Sequence, residues 1–428
     1  MDPIARLPTE LVSLIFLRCL DTKPSPYSHR PWSLVLTYPA DNAPEYVFPS
    51  NTQAPLVLLF VCRAWRDICL ATPTLWNSLG VSGYRNSRLT ESTWLSRGAA
   101  VPVDISTKLI LQGPVLDLLR PRLGQLRSLE LYIDNPDDPG ALAAVGPFPK
   151  LETLSIQGYG SGGWGLSRFR LPVHGVIRLL RSSPNLRVCT FVDIGGWQTA
   201  ADMHLLHPHL TNFTLALHSH KTHQLFGDLP ILSPGNLQLL DHLTLPALRA
   251  FHIYPRILSP TSKAHESPIA RFLHRSKPPL ESLALGKTTD RLCMPVVPEM
   301  MLLGIIYPHL THLALTMQSA ARFPDLGLLD GLDTLFPKLQ SVALGYDKTA
   351  FPIPAGQLPY FFEPLWRCVD LTSLIISWDA VDHDVLAGYI RQVDILPTLR
   401  RSPERVAIHV GLWPGTNIFT RVEIAGSV

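Results

Sequence analysis

The chain has 428 residues, of which 46% are apolar and only 17% charged, against about 25% charged in an average soluble protein. A net charge of +3 is too balanced for a nucleic-acid wrapper or a disordered acidic tail. Forty prolines, nearly twice the usual share of about 5%, exclude long helical bundles and coiled coils, because each one ends or kinks a helix. So apolar and weakly charged a chain points to a partner. Its length gives a prior of about three domains unless repeats override it.

The longest apolar candidate for a membrane span, Met294 to Pro308, is cut by Glu299 and by prolines. It falls short of the ~20 residues a bilayer needs. Asp2 and Glu10 stand where a signal peptide carries positive charge, so none is expected. The cysteines, Cys19, Cys62, Cys69, Cys189, Cys293 and Cys368, have neither zinc nor redox spacing. They read as buried free thiols in a reducing compartment, cytoplasmic or nuclear. There the Asn212-Phe-Thr sequon stays unused.

Residues 4–80 form the first region. Leu7-Pro-Thr-Glu-Leu11 opens a helix whose run to Leu20 is broken only by Ser13 and Arg18. Pro8 suits a first turn, and Glu10 complements the helix dipole. A helix this apolar is expected to be buried nearly all round. A second helical stretch runs from Leu56 to Leu70, and Thr72-Pro73 starts a third turn with Leu75 and Trp76. Between the first two lies an insert, residues 21–55, rich in proline and expected to be an extended surface loop. Residues 81–105 form a junction: a helix ending Trp94-Leu-Ser-Arg97, then a first strand at Val101–Ile105.

From 106 to the end one pattern recurs. LxxLxL appears at Leu126/Leu129/Leu131, Leu151/Leu154/Ile156, Leu186/Cys189/Phe191, Leu210/Phe213/Leu215 and Leu248/Phe251/Ile253. It continues at Leu280/Leu283/Leu285, Leu310/Leu313/Leu315, Leu339/Val342/Leu344 and Leu371/Leu374/Ile376, with a degenerate copy at Val406/Ile408. The mean period is about 31 residues. Proline commonly stands two residues before the first Leu, as at Pro149, Pro184, Pro208, Pro246, Pro308 and Pro337. Alternation within each core predicts a strand buried on one side. Helices are expected before the strands at Gly175–Arg181, Pro268–Arg275, Pro298–Ile306, Asp325–Leu335 and Val385–Leu396. One helix–turn–strand unit cannot bury its own apolar face, but stacked copies can. The fold class is α/β: an irregular leucine-rich-repeat-like solenoid with a parallel sheet. The usual Asn or Cys after the core is missing and the period is uneven, so an arc rather than a regular horseshoe is expected.

The N-terminal residues carry a resemblance. Leu-Pro-Thr-Glu-Leu-Val-Ser-Leu-Ile-Phe (7–16), Val-Cys-Arg-Ala-Trp-Arg-Asp (61–67) and Thr-Pro-Thr-Leu-Trp (72–76) together resemble the F-box of the form abundant in fungi. The long insert departs from that family's short loop. The resemblance implies a three-helix F-box ahead of the repeats. It implies no enzyme and no cofactor, but a substrate receptor of an SCF-type (Skp, cullin, F-box) ubiquitin ligase. The partners implied are a Skp-type adaptor, through it a cullin, and a protein target held by the repeats. Adaptor contacts carry over to Leu7, Pro8, Leu11, Ile15, Phe16, Val61, Cys62, Trp65, Leu75 and Trp76. The alternative is a repeat scaffold that recruits no ligase.

Chemical decoys fall away. Gly158-Tyr-Gly-Ser-Gly-Gly163 has neither the following helix nor the acid about 20 residues on that a dinucleotide site needs. His204, His207, His209, His218, His220 and His223 crowd one repeat but lack carboxylates other than Asp202, and read as loop residues. Asp382-His-Asp384 reads as a helix start. On the strands, the positions between the Leu core point to the concave side. Among them only Glu130 is charged. A target is therefore expected at loops and strand ends, or on the face through apolar and backbone contacts, rather than through an Arg cluster for phosphate.

Overall fold

The structure is a computed structural model. It describes residues 6–20, 22–24, 45–47, 52–81, 88–98, 100–109, 120–133, 146–158, 172–192, 194, 203–216, 235–254, 268–288, 304, 306–317, 331–346, 365, 367–368, 370–378, 407–411 and 419–422. The chain is α/β with a large parallel sheet, and it divides into two compact units. One comprises the described residues through Leu210 together with 235–243. The other comprises 211–216 and those from Thr244 onward.

The first unit begins with α1 (Thr9–Arg18) and a short hairpin, β1 (Thr22–Pro24) with β2 (Glu45–Val47). Then come a 3-10 turn (Val57–Phe60), α2 (Arg63–Leu70) and a second 3-10 turn (Pro73–Trp76). β3 (Ser78–Val81), α3 (Arg88–Arg97), β4 (Val103–Leu109), β5 (Leu126–Ile133), β6 (Thr153–Gly158), α4 (Val173–Ser182) and β7 (Val188–Val192) follow. β3 to β7 lie side by side in chain order, all parallel.

In the second unit β8 (Asn212–Ala216), β9 (Ala250–Tyr254), β10 (Ser282–Thr288), β11 (His312–Met317), β12 (Ser341–Tyr346), β13 (Ser373–Trp378) and β14 (Ala407–Gly411) again add in chain order and in parallel. β15 (Phe419–Val422) closes the row antiparallel. α6 (Pro268–Ser276) and α7 (Leu332–Leu335) precede β10 and β12, while α5 (Gly235–Asp241), ahead of β9 in the chain, belongs to the first unit.

One device repeats before the strands. The N–H of the first core Leu bonds to the carbonyl three residues back: Leu151 to Phe148, Leu186 to Ser183, Leu248 to Leu245, Leu310 to Tyr307 and Leu339 to Phe336, at 3.1–3.3 Å. In each of these five turns proline stands second, where its fixed φ suits a β-turn. The residue that opens each turn is buried. The next residue's carbonyl then receives the following strand. Glu281 and Ser282 donate to Arg249, Thr311 and His312 to Glu281, and Gln340 and Ser341 to Thr311. The core positions consequently pair residue on residue: Phe213 with Phe251, Phe251 with Leu283, Leu283 with Leu313, and Leu313 with Val342. Phe251 packs on Phe272 of α6 with ring centroids 5.3 Å apart, which ties the strand layer to a helix.

Several expectations change. The stretch Leu56–Leu70 is not one helix. Cys62 is extended (φ −157°), and its Sγ accepts the Trp65 N–H at 3.5 Å, so it stops the turn and caps α2. The insert is not simply a surface loop: β2 buries Tyr46 and Val47, and Ala54 is buried as well. β3, unforeseen, joins the sheet through β4. The final copy pairs Ile408 with Leu374 and Val410 with Ile376, two residues later than the frame Val406/Ile408. Of the expected helices, 175–181 and 268–275 form, while only the end of 325–335 is described. Most of 298–306 and all of 385–396 lie outside the described residues. No helix among those described is long and apolar enough to cross a membrane.

The junction packs tightly. An added methyl on Gly98 stands 2.6 Å from the Trp76 carbonyl oxygen, a backbone atom that cannot step aside. We expect Gly98→Ala to destabilise the chain by about 1–3 kcal/mol in urea unfolding, whereas Gly124→Ala, which meets nothing within 4 Å, is far milder.

Candidate partner interface

Two surfaces bear on function: the first 80 residues and the sheet face opposite the core.

α1 has two apolar stripes. Val12 and Phe16, four residues apart, point inward and are buried. Leu7, Leu11, Leu14 and Ile15 fall on another side and are exposed, Leu14 at 57%. Pro8, also exposed, caps the helix and accepts the Leu11 and Val12 N–H groups at 3.0 and 3.2 Å. Glu10 in the first turn and Arg18 in the last complement the dipole. The helix is thus not buried nearly all round: only two of its ten residues are.

α1 leans on α2 and on the second 3-10 turn. Phe16 meets Trp65 with ring centroids 5.0 Å apart. The Ser13 and Thr72 hydroxyls lie 3.0 Å apart, and Thr72 donates to the Ile68 carbonyl. Trp65 is half-buried, and its Nε1 is shut from solvent without a partner. Cys62 is half-buried, and Val61 and Phe60 stand outside, Phe60 at 71% exposure.

Leu75 and Trp76 are interior. Trp76 donates its Nε1–H to the Cys69 carbonyl at 3.0 Å and meets Trp94 of α3 edge-on at 5.0 Å. The Arg97 guanidinium sits 4.5 Å over the Trp76 ring. Burial pushes the Cys69 thiol up to about 11, with Arg97 opposing, so it is an unreactive packing group. Cys189 and Cys368 are also buried, but Cys19 is exposed, contrary to the sequence reading. Cys293 lies outside the described residues.

The predicted contact residues therefore separate. Leu7, Pro8, Leu11, Ile15 and Val61 face outward, Cys62 and Trp65 are half-buried, and Phe16, Leu75 and Trp76 pack the interior. Leu14, Phe60 and Leu70 are exposed apolar residues that the motif did not single out. Seven of the ten exposed large apolar side chains among the described residues fall between Leu7 and Leu70. Single exposed leucines are ordinary, but such a concentration marks an interaction surface.

One row of the sheet face opposite the core is sealed from solvent in the second unit. In the second unit the register aligns Thr214, His252, Ala284, Ala314 and Ala343, and all five are buried. The three alanines form one cluster. The outer positions Ser282, His312 and Ser341 stay half-exposed. His252 Nε2 lies 3.4 Å from the Ser282 hydroxyl, and burial pushes its pKa down to about 3.

Below the strands runs a polar row. Arg249 pairs with Glu281 at 3.0 Å, and the Thr311 hydroxyl donates to the Glu281 carbonyl. In the first unit Arg127 grips both Asp104 oxygens, which raises its pKa further. His207 is buried, with Nε2 3.0 Å from the Ser183 carbonyl oxygen, while His204 and His209 are exposed. No group of three His, Cys, Asp or Glu among the described residues is placed to hold a metal ion. Residues 159–163 and 382–384, with His218, His220 and His223, lie outside them.

No family model matches the chain, and no curated protein matches it.

Two outcomes follow. Trp76→Ala is expected to cost about 3–5 kcal/mol in equilibrium unfolding, and Leu14→Ala at the surface less than about 1. His252 is neutral when folded, while an unfolded histidine titrates near 6.5. Unfolding therefore takes up a proton below about pH 6.5, and stability falls as pH drops from there toward about 3. His207 and His312, also lowered by burial, act with the same sign. The urea midpoint should fall from pH 7 to pH 4.5, and His252→Gln should flatten that slope; an unchanged slope contradicts a buried neutral ring.

Proposed function

We propose that the chain is a substrate-recognition subunit of an SCF-type ubiquitin ligase. A three-helix F-box at residues 4–80 binds a Skp-type adaptor, and through it a cullin. A leucine-rich-repeat-like solenoid holds the target protein. The reading places the chain in the cytoplasm or nucleus, where such ligases work.

One observation carries it. Leu7 just before α1 and Leu11, Leu14 and Ile15 along it stand exposed, as do Phe60 and Val61 ahead of α2 and Leu70 at its end. These are the segments whose sequence resembles the F-box. Trp76, Leu75 and Phe16 hold that module from inside, so the outward stripe is free for another protein. Apolar anchors of this size suit the core of a stable interface, and the exposed charges around them, such as Glu10 and Arg66, suit its rim.

The test is co-purification of the intact chain with a Skp-type adaptor. Wild type should form a stoichiometric complex. Leu7→Ala with Pro8→Ala, and separately Leu11→Asp with Ile15→Asp, should weaken it at least tenfold, while Val188→Asp, on a different exposed site, should not. No complex with wild type contradicts the ligase reading and favours a scaffold without a ligase. Binding that ignores both double variants shows that the adaptor docks elsewhere.

A further inference from the structure

The outer face of the first unit's sheet is closed at one end and open at the other. Across β3 to β7 the register aligns Gly80, Ser106, Glu130, Ser155 and Thr190. The first three are buried, and Ser155 and Thr190 are half-exposed. The adjacent row changes the same way, from buried Ser128 through half-exposed Thr153 to exposed Val188.

The cover comes from the insert. β2 packs on β3 and β4 and buries Tyr46 and Val47. The Tyr46 hydroxyl lies 3.4 Å from the Ser128 hydroxyl, and the charges of Glu130 and Asp104, both on this face, act on it. Burial, with the charges of Glu130 and Asp104, keeps the phenol protonated, hence a donor. β1 and β2 form a two-stranded sheet of their own. The hairpin therefore lies on the large sheet without being one of its strands.

We propose that the hairpin is a detachable strap, a tethered occupant of part of a partner-binding face. It lifts off without breaking the sheet. The segment that displaces it is an extended peptide presenting a phenol hydroxyl to Ser128, beside Glu130, as Tyr46 does. The binding role of this face rests on the target-recognition reading above; the detachment does not.

Ser106 lies under the strap, and Cys189 is buried in the same unit, on the core side of β7. In the full-length chain carrying Ser106→Cys, maleimide labelling is followed peptide by peptide. The thiol introduced at 106 should react at least tenfold faster than Cys189. Adding Tyr46→Ala should raise the rate at 106 at least a further tenfold and leave Cys189 unchanged. A synthetic peptide of residues 42–50 should slow labelling at 106 in that variant, and the same peptide with alanine in place of tyrosine should not. Equal rates at both thiols, or Tyr46→Ala speeding both alike, would show that the hairpin is integral core and overturn the proposal. So would a peptide that leaves the rate at 106 unchanged. Adaptor binding does not enter these rates, so the two readings fail separately.

Discussion

Register is the constraint on which the rest depends. A strand of five to eight residues with a Leu-type core buries almost nothing alone. It becomes stable when its core positions meet those of its neighbours on the same face, and a slip of one residue would turn every one of them outward. The turn before the strand prevents that slip. A buried residue opens it, proline sets its second position, and the first Leu closes it through its own N–H. The carbonyl that follows then receives the next strand. Phe213, Phe251, Leu283, Leu313 and Val342 stand in one row because that hydrogen-bond pattern recurs, despite an uneven spacing between copies. The variable lengths are absorbed between strands, where loop closure grows costlier only slowly with length.

The N-terminal module solves a different problem with few residues. Its interior is aromatic: Phe16 on Trp65, and Trp76 on Trp94. The Trp76 indole N–H has a backbone acceptor, so the large ring is buried without stranding a donor. With the module held from inside by these rings, α1 needs only Val12 and Phe16 for its own packing. The rest of its apolar surface is surplus to folding. Surplus apolar surface is kept where a partner covers it, and that is the physical basis of the proposed adaptor interface.

Much of the architecture was legible because LxxLxL has period two and proline punctuates it. Both signals are local, and so are the turns they describe. The outward and inward stripes of α1 were not separable, since Leu11, Leu14 and Ile15 are as apolar as Val12 and Phe16, and periodicity does not say which stripe meets a neighbour. Cys62 as a helix cap was invisible because cysteine rarely caps through sulfur. Tyr46 sat among prolines that read as loop, and its burial depends on Ser128 and Glu130, some 80 residues away. Alternation assigned Ala284, Ala314 and Ala343 to the face opposite the core, but it carries no signal that the row is sealed from solvent.

The proposed interface puts the outward stripe of α1 and the exposed residues around α2 under a Skp-type adaptor. Hydrogen exchange of the intact chain with and without that adaptor tests it most directly. Added protection is expected at residues 7–15 and 57–70, with the strands of the second unit unchanged. Protection confined to the strands, or none at all at saturating adaptor, would contradict it.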